Sequence, residues 1–177
     1  MTPRAQQHGN YFSADLENRV DINADVLRAL KKQINAGRAN GSHFFSGRYE
    51  NLYINSAYIP EVEPILSFAT DCAASILRTN ADRLRCGFWF NMMRGNDLTG
   101  RHTHDDNDEQ LSAVYYINVP VDAGPLILHT DNGEVRIVAV PGRLIFFDPT
   151  LEHEVSAARF SGERVSIGMN FGVGTVA

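Results

Sequence analysis

The chain of 177 residues is long enough to bury a substantial core, and it is expected to form one domain over 1–177. Its 44% hydrophobic and 21% charged residues are ordinary for a globular protein, and a net charge of −5 speaks against a nucleic-acid partner, which needs a cationic face. No apolar run approaches the roughly 20 residues of a membrane-spanning helix, and the opening MTPRAQQHGNYF lacks the apolar centre of a secretory signal.

Residues 1–83 read as helix and irregular loop. In DINADVLRALKKQINAG, residues 21–37, Val26, Leu27, Leu30 and Ile34 recur at helical spacing, with Asp21 or Asn23 as the cap and Gly37 as the stop. The next stretch, GSHFFSGRYENLYINSAYIP, is rich in Gly, Ser, Asn and aromatics and suits an irregular surface segment. A second helix is expected from Pro60 or Pro64, burying Ile65, Phe68, Ala69, Cys72, Ile76 and Leu77. The two cysteines, Cys72 and Cys86, are too few for a disulfide framework and read as buried thiols in a reducing cytoplasm.

From residue 84 the texture changes to short β-type runs, expected near 86–93, 111–118, 125–129, 134–140, 143–147, 152–156 and 164–171. The breaks are VDAG, TDNG, VPG and SG, and there is no internal repeat. Many short strands at close spacing imply a sandwich or small barrel, here with two helices packed on it.

RHTHDDNDEQLSAVYYIN, residues 101–118, places His104 and Asp106 two apart, on one face of an extended segment. His153 follows a strongly apolar strand in FFDPTLEHEVSAA. Two imidazoles and one carboxylate form the facial triad that holds non-haem Fe(II) with open positions. Alone, a His-x-Asp pair is a weak signal, because such short matches are common and a histidine near a loop is more often structural. Eleven residues after His153, GERVSIGMNFG sets Arg164 and Ser166 on one face, a fitting receptor for a carboxylate. The turn RFSG makes near neighbours of the strands carrying His153 and Arg164.

Taken together, His104-x-Asp106, LSAVYYIN, PGRLIFFDPTLEHEV and ERVSIGMNF resemble the Fe(II)/2-oxoglutarate-dependent dioxygenases, in particular the compact bacterial branch related to prolyl hydroxylases. The resemblance covers about residues 86–172. It implies a mainly β fold with N-terminal helices, a double-stranded β-helix (jelly roll, cupin-like barrel) whose core is 84–172. It implies iron held by His104, Asp106 and His153. Arg164 and Ser166 would take the far carboxylate of 2-oxoglutarate, whose other end chelates the iron. Tyr116 matches a position that often reaches the co-substrate, with a barrel-core aromatic as the equal alternative. Asn91 is either an amide to the co-substrate or an edge-strand residue. His102, on the face of His104, is expected to stand behind the ligands or touch substrate, and Asp105, Asp108 and Glu109 to be a solvated loop.

The implied reaction is hydroxylation of a C–H bond in a small molecule or amino-acid side chain, with dioxygen consumed and succinate and carbon dioxide released. A carboxylate at Asp106 points to hydroxylation over halogenation. Two rivals share the scaffold. A cupin would use His102, His104, Glu109 and His153, but has no role for the Arg-x-Ser pair; a metabolite-binding jelly roll would carry only an incidental metal.

Overall fold

The computed structural model describes residues 4–45, 47–104 and 108–174. Helix α1 (Arg19–Asn35) buries Val26, Ala29 and Leu30 along one stripe and ends before Gly37, whose φ of +69° suits a residue without a side chain. Neither expected cap caps it. The helix starts ahead of both, and Asn23 instead faces the sheet. Helix α2 (Glu63–Leu77) has Pro64 in its first turn and buries Ile65, Ala69, Cys72 and Ala73.

The segment between the helices is not irregular. It folds as a hairpin of β3 (Asn40–Phe45) and β4 (Arg48–Tyr53), and two further strands, β1 (Gln6–His8) and β2 (Tyr11–Asp15), precede α1. Phe44, Phe45 and Tyr49 remain exposed, so no alternation of burial marks this hairpin. Backbone pairing alone makes it a strand pair, which sequence periodicity does not report.

The expected strands all form: β5 (Leu84–Arg94), β7 (Leu111–Asn118), β8 (Leu126–Thr130), β9 (Gly133–Ile137), β10 (Arg143–Phe147), β11 (His153–Val155) and β12 (Glu163–Val173). An eighth, β6 (Thr99–His102), was not expected. They make two antiparallel sheets, a large one in the order β1-β2-β10-β7-β12-β5-β4-β3 and a small one in the order β6-β11-β8-β9, the face-to-face arrangement of a jelly roll. The expected adjacency of the His153 and Arg164 strands does not hold. β11 belongs to the small sheet and β12 to the large one, so these side chains meet across the interior.

Period-2 alternation gives the large sheet two buried faces. Val165, Ile167, Met169 and Phe171 of β12 join Tyr115, Ile117, Leu144 and Phe146 under the two helices. The opposite face of β12 carries Arg164, Ser166, Gly168 and Asn170, and it lines a cavity instead of meeting solvent. Asn23 clips α1 to this sheet. It donates to the Ile117 carbonyl at 2.8 Å and accepts from the Tyr115 hydroxyl at 2.6 Å. Ile117 is the unmatched residue of a bulge, since Val165 pairs with Asn118 and Ser166 with Tyr116. Its carbonyl is thus satisfied by a side chain where the ladder cannot do so.

Candidate active site

A cavity of about 630 Å³ lies between the sheets. One wall carries three histidines from the small sheet and the loop beside it, and the other carries Arg164 and Ser166 from the large one.

The histidine wall starts from a tight turn. Asp148 accepts hydrogen bonds from the Thr150 amide at 2.9 Å and hydroxyl at 2.7 Å, and the chain then enters β11 at His153. The His104 amide donates to the Pro149 carbonyl at 2.8 Å, which fastens the loop after β6 to that turn. His102 is the direct cross-strand partner of His153. The ring centroids are 4.2 Å apart for His102 and His153, and His104 lies 4.9 Å from each. One nitrogen from each of the three lies within 4.8 Å of the others, the spacing of a metal site. Burial, then the neighbouring imidazole of His102, pushes His153 down to about 3, so it is a neutral lone-pair donor. Its Nδ1 donates to the Leu151 carbonyl at 3.0 Å, leaving Nε2 as the donor atom for a metal. Asp106 lies outside the described residues, as does Asp105.

The opposite wall is built by three adjacent strands. Ser166 sits between Asn91 of β5 and Tyr116 of β7, and Arg164 opposite Met93. Arg164 is 2% exposed, yet its only side-chain acceptor among the described residues is the Met93 thioether, 3.1 Å from Nη1. A thioether is a weak acceptor for a guanidinium. Arg164 Nε and the Tyr116 hydroxyl are buried without any hydrogen-bond partner among the described residues. Burial lowers the Arg164 pKa and raises that of Tyr116, while each is partly offset by the other. Buried donors of this kind are costly unless an acceptor arrives, and a carboxylate fits both the charge and the fork geometry. The residues present therefore fit a metal at one end of the cavity and a carboxylate at the other.

Asn91 lines the cavity, but its amide nitrogen donates to the Glu50 carbonyl at 2.5 Å and to Asn51 Oδ1 at 3.2 Å, tying β5 to β4. Glu109 departs from the expected solvated loop, being half-buried in the cavity wall, whereas Asp108 is exposed and pairs with Arg85. Two residues escaped the sequence reading. Trp89, two before Asn91 and so on the same face, lies 5.3 Å from His104 ring to ring, the two planes tilted by 55°. Gly168 makes room for it, because a Cβ there would run into the Trp89 indole. The spacing of two from Asn91 and from Ser166 was the available signal. A second group, His129, Glu134 and Glu154, lies on the small sheet's outer face, where Glu134 already pairs with Arg136 at 3.1 Å.

No protein-family model matches the chain, and no curated protein matches it in sequence. Its fold does match solved structures. A prolyl-4-hydroxylase from Pseudomonas putida is 20% identical, with 94% of each chain covered and a TM-score of 0.74. EvdO2 from Micromonospora carbonacea var. aurantiaca, solved in complex with 2-oxoglutarate, is 13% identical, covering 93% of this chain and 86% of that one, with a TM-score of 0.69. A prolyl hydroxylase from Trichoplax adhaerens, in complex with a hypoxia inducible factor peptide fragment, is 16% identical over 93% and 84%, with a TM-score of 0.67. The chain has the double-stranded β-helix fold of the Fe(II)/2-oxoglutarate oxygenases.

Proposed function

We propose that this chain is an Fe(II)- and 2-oxoglutarate-dependent dioxygenase that hydroxylates a C–H bond of a small molecule or amino-acid side chain. The observation that carries this reading is Arg164, a buried guanidinium with no carboxylate beside it among the described residues, facing the same cavity as the histidine cluster. A cupin using His102, His104, Glu109 and His153 has no task for that cation.

In this reading His104, Asp106 and His153 hold the iron, with His153 kept neutral by burial and oriented by the Leu151 carbonyl. Arg164 binds the far carboxylate of 2-oxoglutarate, helped by the Ser166 and Tyr116 hydroxyls. Iron and 2-oxoglutarate, when bound, supply the oxidising chemistry in which dioxygen is reduced, 2-oxoglutarate becomes succinate and carbon dioxide, and the substrate gains a hydroxyl. Val114, Leu126 and Phe147 give part of the cavity wall an apolar surface. Asn91, on a strand inside the sheet and not at its edge, acts by tying β4 to β5 beside the co-substrate. Residues 84–172 form the catalytic barrel, with residues 1–83 part of the same domain. Two free thiols, Cys72 and Cys86, support a reducing, cytoplasmic setting, and no helix among the described residues is long and apolar enough to cross a membrane.

The test is an anaerobic titration of the Fe(II)-loaded protein with 2-oxoglutarate, read by visible absorption and calorimetry. Wild-type protein is expected to develop a weak charge-transfer band that Arg164→Ala fails to develop at the same concentration. Metal content then separates the donor sets: Asp106→Ala is expected to lose iron while Glu109→Ala keeps it. The reverse pattern, or no 2-oxoglutarate binding, overturns the dioxygenase reading.

A further inference from the structure

The cavity face of the large sheet extends past the stretch that Arg164 and Ser166 serve. Along β12 it continues through Gly168, set between Trp89 and Val114, to Asn170, set between Gly87 and Ser112. The Trp89 indole lies over Gly168, and its ring centre is 5.3 Å from that of His104. This pair therefore marks the level of the histidine wall. Arg164 and Ser166 lie on one side of that level. Asn170 lies on the other, about 7 Å further along the strand.

The Asn170 carboxamide is held in place yet half satisfied. The Ser112 hydroxyl, 1% exposed, donates to Asn170 Oδ1 at 2.9 Å. Nδ2 then offers two N–H donors, and no acceptor meets them among the described residues. A side chain at the neighbouring Gly87 would meet nothing within 4 Å, so the face is open where those donors stand.

The charges at this end select the acceptor. Arg85, next along β5 on the same face, is already paired with Asp108. Glu109 lines the cavity beside Gln110, whose amide donates to the Phe171 carbonyl at 2.7 Å and so fixes that residue at the Asn170 end. An anionic group here would face the Glu109 carboxylate without a cation of its own. A neutral carbonyl oxygen accepts from an amide N–H without that repulsion.

We infer that Asn170 determines substrate specificity, donating from Nδ2 to a neutral amide carbonyl of the primary substrate. The inference rests on the dioxygenase reading and deepens it: 2-oxoglutarate takes the Arg164 end of the face, and the group to be hydroxylated is anchored from the Asn170 end. An amino-acid side chain presented within a peptide carries such a carbonyl, whereas a free amino acid presents a carboxylate in its place.

The emission of Trp89, the only tryptophan of the chain, reads binding at this position. The Fe(II)- and 2-oxoglutarate-loaded protein is titrated anaerobically with the N-acetyl N-methylamides of the protein amino acids other than tryptophan, and with the same amino acids free. At least one capped amino acid is expected to change the emission saturably and to bind at least tenfold tighter than its free form. Asn170→Asp keeps an acceptor for Ser112 but removes both donors, and is expected to weaken that binding roughly tenfold or more. Asn170→Ala is expected to weaken it in the same direction, and calorimetry should give 2-oxoglutarate affinities within twofold of wild type for both variants. No response to any capped amino acid, tighter binding of the free forms, or equal affinity in wild type and Asn170→Asp overturns the inference and leaves the dioxygenase reading standing. Failure of the wild type to bind 2-oxoglutarate overturns that reading and Asn170 with it.

Discussion

The Arg164 guanidinium carbon lies 5.3 Å from the centre of the Tyr116 ring, with both side chains inside the barrel. Neither Arg164 Nε nor the Tyr116 hydroxyl has a hydrogen-bond partner among the described residues. Two buried donors around one interior space are explained by an acceptor that arrives from outside.

Replacing Arg164 by Met is expected to move stability in opposite directions with and without ligand. Without 2-oxoglutarate the variant loses a buried charge that has no carboxylate partner among the described residues, and substitution of buried ions by apolar residues gains about 1–4 kcal/mol in favourable cases. With 2-oxoglutarate at ~100 times its Kd, the wild type gains about 2.7 kcal/mol and the variant gains nothing. Thermal unfolding of the anaerobic protein, with and without 2-oxoglutarate, measures both effects. Equal ligand-induced stabilisation in the two proteins contradicts the assignment of Arg164.

Tyr116→Phe removes a hydroxyl that has no hydrogen-bond partner to lose among the described residues. Unfolding of that form is expected to be unchanged, whereas 2-oxoglutarate affinity falls by roughly 10- to 150-fold, the worth of one hydrogen bond to a charged group. Calorimetric titration distinguishes this from the alternative in which Tyr116 only fills the core, where affinity stays constant.

Gly168→Ala places a methyl group against the Trp89 indole, whose ring centre lies 5.3 Å from that of His104. Overpacking of this kind costs about 1–3 kcal/mol. Trp89 is the only tryptophan of the chain, so its emission reports the displacement without interference. An unchanged emission maximum together with unchanged stability would show that the glycine is not required.

Glu163 ties three elements together, pairing with Arg94 of β5 at 2.9 Å and Lys31 of α1 at 3.0 Å. Hydrogen bonds from Arg94 first, then Lys31, hold its carboxyl below the ordinary value of 4.5. A depressed carboxylate contributes stability above its unfolded pKa and loses it as the pH falls through the folded one. Glu163→Gln is therefore expected to cost about 0.2–1 kcal/mol at neutral pH, since the groups are partly exposed. Denaturant unfolding across pH should show the two proteins converging as the pH falls below 4.5; a constant gap at all pH values rules out the ion pairs as its source.

Part of the site was legible because strand periodicity reports which side chains share a face. The alternation in ERVSIGMNF placed Arg164 with Ser166, and the helical spacing of Val26, Leu30 and Ile65, Ala69, Cys72 located α1 and α2, all as found. The same alternation is ambiguous about solvent. A polar–apolar strand ordinarily has a wet face, yet Arg164 and Ser166 are 2% and 3% exposed because the small sheet covers them.

Only the tertiary structure decided which strands lie beside one another, since that depends on backbone hydrogen bonds between segments far apart in the chain. The turn RFSG suggested that the strands of His153 and Arg164 are neighbours, and the sheets separate them. Nothing local announced β6, so nothing local set His102 beside His153; that pairing is made by a ladder spanning 51 residues of sequence. The exposed β3–β4 hairpin escaped for the same reason, because pairing rather than burial defines it. Sequence period thus determined the chemistry each face of a strand carries, while non-local pairing decided that three imidazoles and one guanidinium without a carboxylate partner among the described residues look into the same cavity.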